Sequence, residues 1–321
     1  MAITLTSAMR GALNDIDLAV IDEARKSSYL LNALTFDDCV NPAGGGSTLV
    51  YGYVRETTER GAASRQQNTE YVAAEAVRQQ YTVNLVPFGG SFQVDRVLAN
   101  VGPAAATEVA WQIRSLNKSV IADFHDEFIN GTAAAFDQAS PGFAGLAAIV
   151  NGSVTDVTAT TDWSAVATLA GAHDALDELD EWVDEFDGVP DALFGNTKGI
   201  ARLRSIARRA DYYEKTRDEF GLEVESYRGI PFVNLREKPG SSSDIIGTTD
   251  GASAIYGVRF GMDGVHAVSA AGVPLLQTWL PDFTTAGAVK KGEVEMAPCA
   301  VVVKRVRSAG RFNVTVSSSS S

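Results

Sequence analysis

Apolar residues follow two rhythms along this chain, and the places where one gives way to the other outline its elements. Residues 15–34 carry Ile16, Val20, Ala24, Leu30 and Leu31 as a broken helical stripe, which Asp15 can cap. Asn41-Pro42-Ala43-Gly44-Gly45-Gly46-Ser47 follows, and its three successive glycines make a flexible joint. The period then drops to two. In Thr48–Thr58, Leu49, Tyr51 and Tyr53 alternate with Val50, Gly52 and Val54, and Tyr81–Val94 is rich in Val, Phe, Leu and Tyr. Glu59–Gln80 between them is polar. Two strands of about 35 Å, at about 3.3 Å per residue, predict a long arm with a polar tip. A lone hairpin is marginal in water, so this arm needs a partner surface.

Gly102-Pro103 opens the clearest helix, because proline suits the first helical position. Val109, Ile113, Leu116, Val120, Phe124 and Phe128 recur at spacings of three and four, and Asn130-Gly131 is the stop. Such a helix runs roughly 40 Å at about 1.5 Å per residue. Residues 131–163 are small and polar around one apolar piece, Phe143–Val150. A second helix is expected over Ser164–Phe186, with Leu169, Leu176, Leu179, Val183 and Phe186 inward, and a third from Thr197, with Ile200, Leu203, Ile206 and Ala207. Beyond Leu222 the chain reads as short strands: Leu222–Tyr227, Ile230–Leu235, Ala254–Phe260, Gly264–Val268, Ala300–Val306 and Phe312–Val316. Ser317–Ser321 reads as a disordered tail.

Composition narrows the function. With 321 residues, 45% hydrophobic and 21% charged, the chain is a folded protein of about two domains. Its net charge of −13 excludes a generally basic nucleic-acid binder. Cys39 and Cys299 form neither a disulfide framework nor a zinc pattern. Met1–Val20 is broken by Arg10, Asp15 and Asp17 and lacks a signal peptide's apolar stretch, so a cytosolic protein without a membrane span is expected.

Catalytic patterns are scarce. Gly195-Asn196-Thr197-Lys198-Gly199 fails the P-loop spacing, and His125-Asp126-Glu127-Phe128 lacks the second histidine of HExxH. His125, His173 and His266 are the only histidines, and they read as structural or surface residues. The densest charge is acidic: Asp174, Asp177, Glu178, Asp180, Glu181, Asp184, Glu185 and Asp187. Cation binding is one reading, but there is no EF-hand spacing. A solvated face opposite Leu176, Leu179 and Val183 is the plainer one. Arg202, Arg204, Arg208 and Arg209 on the next helix do not share one narrow face, and salt bridges within or between subunits account for them. No catalytic, metal or cofactor residue is assigned.

The order of elements (helical arm, glycine joint, polar-tipped hairpin, long proline-started helix, mixed region, late strands) resembles the HK97-fold major capsid proteins of tailed bacteriophages, an α+β class. Val189-Pro190-Asp191-Ala192-Leu193-Phe194-Gly195-Asn196 with Ile200-Ala201-Arg202-Leu203-Arg204 resembles the family's entry into an axial-domain helix. Arg228-Gly229-Ile230-Pro231-Phe232-Val233 resembles its Gly-x-Pro strand. Ile245-Ile246-Gly247 with Ala254-Ile255-Tyr256-Gly257-Val258-Arg259 resembles the strand pair that follows.

The resemblance implies an N-arm at 1–45, an E-loop at 46–97 and a P-domain with its spine helix at 98–139. It also implies an A-domain at 140–288, P-domain terminal strands at 289–316 and a flexible tail at 317–321. Gly44, Gly45, Gly46, Gly102 and Pro103 would be the hinge and spine start. Arg55, Glu56, Glu59, Arg60, Arg65 and Glu70, with Arg202, Arg204, Arg208 and Arg209, are the candidate intersubunit contacts. The implied function is self-assembly, as pentamers and hexamers, into an icosahedral virion shell around double-stranded DNA, formed in the host bacterial cytoplasm. DNA would be enclosed without sequence-specific binding. Portal and decoration proteins are implied partners. Some relatives carry a fused scaffold of about a hundred residues; about 45 residues precede this hairpin, so a separate scaffolding protein is implied. Residues 46–97 contain no lysine, which predicts no lysine crosslink from the E-loop. An encapsulin-like nanocompartment shell, a metal-dependent enzyme built on 174–187 and another virion component are the alternatives.

Overall fold

The computed structural model describes residues 2–3, 29–40, 49–58, 61–73, 75–99, 103–132, 141–212, 214–217 and 223–317. In chain order they form β1 (Ala2–Ile3), α1 (Tyr29–Ala33), β2 (Phe36–Val40), β3 (Val50–Thr58), β4 (Val77–Asn84), β5 (Val86–Asp95), α2 (Arg96–Ala99), α3 (Pro103–Asn130) and α4 (Leu146–Ile149). Then come β6 (Asp156–Thr158), α5 (Leu169–Asp184), β7 (Ala192–Phe194), α6 (Thr197–Arg209), β8 (Glu214–Arg217), β9 (Glu223–Tyr227), β10 (Ile230–Val233) and β11 (Thr248–Thr249). The chain closes with β12 (Ala252–Val258), β13 (Val265–Ala270), β14 (Leu276–Trp279), β15 (Val289–Val303) and β16 (Ala309–Thr315).

The long helix is the one the apolar stripe predicts. α3 starts at Pro103 and spans 28 residues, about 42 Å at 1.5 Å per residue. Its two halves have different surroundings. Val109, Ile113 and Leu116 pack on Phe92 and Val94 of β5, whereas Val120, Phe124 and Phe128 are buried in the main core. Gly131 ends it where two backbone segments meet. A Cβ there would lie 2.3 Å from the Phe143 carbonyl oxygen and 2.5 Å from that of Glu127, closer than any side chain permits.

Two larger sheets flank this core. One has the order β1-β5-β15-β13-β2, with β14 beside β15; the other runs β6-β16-β12-β7-β10-β9-β8, with β11 beside β12. On one face of the second sheet, α5 and α6 bury Leu176, Leu179, Trp182, Leu203 and Ile206 against Ile255, Phe312 and Val314. Thr168 caps α5 through the Gly171 amide at 3.2 Å, and Asn196 caps α6 through Gly199 at 2.7 Å. The second helix therefore begins at Leu169, not Ser164.

Two expectations about strands are corrected. The 81–94 run is two strands, broken at buried Leu85, whose amide donates to the Leu49 carbonyl at 2.8 Å. β4 alone pairs with β3, while β5 crosses into the large sheet. The late strand expected at Ala300–Val306 is instead the 15-residue β15, bulged between Met296 and Cys299. Its first half sets Lys291, Glu293 and Glu295 outward against Lys290, Gly292, Val294 and Met296 inward, so it carries no apolar run. β16 pairs with β12 and β6, so it lies in the second sheet, while β13, from the 140–288 range, lies in the first. Chain order and sheet membership therefore cross at the C-terminus.

Candidate assembly surfaces

The β3–β4 hairpin stands apart as its own two-stranded sheet, in register from Val50↔Asn84 to Thr58↔Val77. Its base is held by aromatics. Tyr53 is buried between Tyr51 and Tyr81, with ring centroids 6.2 and 5.7 Å away, and Tyr51 meets the His266 ring of β13 edge-on at 6.4 Å. Arg55 completes the join. Its guanidinium donates to the Val303 carbonyl of β15 and to the Tyr53 hydroxyl at 3.3 Å, and lies 4.5 Å from the Tyr81 ring centroid. The first of the expected intersubunit residues thus makes its described contacts inside its own chain.

Beyond the paired strands, residues 61–73 are exposed throughout. Arg65 orders a turn there by donating to the carbonyls of Gln66 at 3.2 Å and Thr69 at 3.0 Å, with Asn68 left-handed at φ 62°. It also covers the Tyr71 ring at 5.2 Å. Glu70 is exposed. Glu56 faces Arg78 in the strand register. Glu59, Arg60, Gly44, Gly45, Gly46 and Gly102 lie outside the described residues. Tyr71 and Val72 are 66% and 95% exposed, an apolar pair on an otherwise polar tip. Their adjacency in Glu59–Gln80 was the available signal, and a reading of that segment as simply polar passed over it.

The arginines of α6 divide. Arg202 donates to the Val316 carbonyl at 2.9 Å, Arg209 to that of Val166 at 2.7 Å, and Arg204 pairs with Glu225 at 2.6 Å. Arg208 is exposed. They fasten α6 to three surrounding segments rather than forming one stripe.

The acidic helix α5 is also largely committed. Glu178 accepts from the amides of Thr160 and Thr161 at 3.0 and 3.1 Å and from the Thr161 hydroxyl at 2.8 Å. Asp180 and Asp184 hold Arg228 at 3.1 and 3.3 Å, Asp187 pairs with Arg305, and Glu185 approaches Arg307 at 3.7 Å. Arg228 sits at φ 52° in the β9–β10 turn. Among the described residues, no three His, Cys, Asp or Glu side chains gather as a metal site. His125 and His266 are buried, and burial pushes the His125 imidazole down to about 4. Cys299 is buried and Cys39 exposed. No helix among the described residues is long and apolar enough to cross a membrane.

No protein-family model matches the sequence, and no curated protein matches it. Solved structures do match it over nearly its whole length. The SrpI encapsulin of Synechococcus elongatus PCC 7942 is 16% identical with a TM-score of 0.61, covering 100% of this chain and 99% of its own. A chain from Mycobacterium phage Bobi is 14% identical with a TM-score of 0.58, covering 99% of each. The capsid protein of the Myoviridae phage XM1 is 10% identical with a TM-score of 0.57, covering 95% of this chain and 97% of its own. The chain has the α+β HK97 fold shared by phage capsid and encapsulin shell proteins. At these identities the similarity is one of fold.

Proposed function

We propose that this chain is a major capsid protein, which self-assembles into the closed icosahedral shell enclosing the double-stranded DNA of a tailed bacteriophage. One observation carries the reading: the chain aligns with phage and encapsulin shell proteins over nearly its whole length, with 99% of each chain covered in one phage example. In this reading 46–97 is the E-loop, α3 the spine, the α5–α6 sheet the A-domain and 1–45 the N-arm. The hairpin buries on a neighbouring copy the surface it cannot bury alone, with Tyr71 and Val72 at its end. Heterologous contacts closed by symmetry give pentamers, hexamers and a shell. A separate scaffolding protein, a portal and decoration proteins complete the assembly in the host cytoplasm. The charge of −13 suits an inner wall that does not trap DNA during packing; a neutral or positive inner wall in the assembled shell would refute that point.

A second reading is an encapsulin-like compartment, favoured by the encapsulin overlay at TM-score 0.61. Expression with negative-stain electron microscopy tests both. Uniform closed shells support assembly, and small species alone, with and without co-expressed scaffold, count against it. Particles recovered from infected cells and filled with DNA support the capsid, whereas particles filled with protein support the compartment. Boiling in denaturant should return monomers, since residues 46–97 hold no lysine to crosslink.

A further inference from the structure

Two neighbouring helices on one face of the second sheet carry opposite charge outward. On α5, Asp174, Asp177 and Glu181 are exposed at spacings of three and four, opposite the buried side of that helix. On α6, Lys198, Arg208 and Arg209 are exposed. The ends of the two helices are close: the His173 and Tyr212 rings are 6.2 Å apart, and Arg209 bonds to Val166 just ahead of α5. Yet Asp174, Asp177, Glu181, Lys198 and Arg208 enter no salt bridge among the described residues.

Helix stability does not explain all of these charges. The N-terminus of a helix favours anions and its C-terminus favours cations. Arg208 and Arg209 obey that rule and Asp174 lies beyond the first turn of α5, but Glu181 stands in the last turn of α5 and Lys198 in the first turn of α6. Both oppose the local dipole. Copies carrying −13 each also repel one another on approach. A contact that sets an acidic stripe against exposed basic residues offsets part of that repulsion and fixes which faces meet.

We infer that the acidic stripe of α5 (Asp174, Asp177, Glu181) and the basic face of α6 (Lys198, Arg208, Arg209) form a charge-complementary contact between copies of this chain. The occupant of each face is the opposite face of a second copy. The inference rests on the shell reading and adds to it the surface by which these domains meet.

Reciprocal charge reversal in the full-length protein tests it. One variant carries Asp174→Lys, Asp177→Lys and Glu181→Lys; a second carries Lys198→Glu and Arg208→Glu, leaving Arg209 on its Val166 bond; a third carries all five. All five positions are exposed, and unchanged far-UV circular dichroism and Tm confirm folding. Particle formation is followed by light scattering and sedimentation against protein concentration and salt. The first two variants should need about tenfold more protein to assemble at low salt, with the difference shrinking as salt screens it. The third should assemble like the parent. Parent-like assembly of both partial variants, or no rescue in the third, overturns the inference and leaves the shell reading standing. If the parent forms only small oligomers, their dissociation is read in the same way: disruption with rescue keeps the contact while the shell reading fails. A strictly monomeric parent overturns both.

Discussion

Removing Arg55 should release the hairpin from the body. The side chain bridges two separate sheets: its backbone belongs to β3, and its guanidinium donates to the Val303 carbonyl of β15 while lying 4.5 Å from the Tyr81 ring. A hydrogen bond from a charged donor contributes about 1.5–3 kcal/mol when its partner is buried. The Tyr81 contact lies within the hairpin itself, so the Val303 bond alone counts toward docking, and Arg55→Ala should weaken docking by about 1.5–3 kcal/mol. At about 1.4 kcal/mol per factor of ten, the undocked hairpin becomes roughly ten-fold to a hundred-fold more populated. Arg55→Lys keeps the charge but loses the planar guanidinium fork and should fall between. Hydrogen exchange read by mass spectrometry is the assay. Amides of Val50–Thr58 and Val77–Asn84 should exchange faster, while β13 and the second half of α3 keep parental rates. Unchanged protection in β3 and β4, or equal loss across the whole chain, would refute the idea of a local clasp.

Three further outcomes are expected. Gly131→Ala forces a Cβ against two carbonyl oxygens at 2.3 and 2.5 Å and should cost about 3 kcal/mol, seen as a lower Tm and urea midpoint; a parental midpoint would contradict the close approach. Asp156 accepts two bonds from Arg311, at 2.8 and 2.7 Å, which hold its carboxyl below the usual 3.8. A depressed carboxylate contributes stability that is present above its unfolded pKa and lost as pH falls through the folded one. Asp156→Asn should thus cost about 2 kcal/mol at pH 7 and much less near pH 2, and a pH-independent difference in denaturant midpoint would show the pair contributes nothing. His125 is held neutral by burial, at about 4 against 6.5, so the unfolded chain binds the extra proton between those values. Stability should fall by about 3 kcal/mol from pH 6.5 to 4, and His125→Leu should flatten that limb; parallel stability–pH curves would exclude His125 as the cause.

Periodicity carried the local elements. The stripe from Val109 to Phe128, with Pro103 before it and Gly131 after it, specified α3 completely, since start, face and stop are all short-range properties. Apolar spacing did the same for α6, expected from Thr197 and found there. The candidate surfaces were less legible. Arg55 looks like any hairpin charge in the sequence, and only the approach of β15 turns it inward. The eight acidic residues at 174–187 look equivalent, yet Glu178 grips a loop, Asp180 and Asp184 grip Arg228, and Asp174, Asp177 and Glu181 stay exposed.

The sequence by itself therefore determined α3 and α6, the presence of a hairpin with a mostly polar tip, and the order of parts that pointed to a shell protein, because each rests on local patterns; the helix expected over 15–34 lies mostly outside the described residues. The tertiary structure alone decided where the strands went. Leu85 splits one apolar run between two sheets, a charged stretch becomes the central β15, and β13 and β16 exchange neighbourhoods near the C-terminus. Those outcomes follow from backbone pairing and burial between segments up to some two hundred residues apart, as when Val289 of β15 meets Asp95 of β5. No local pattern records which distant strand will supply the hydrogen bonds.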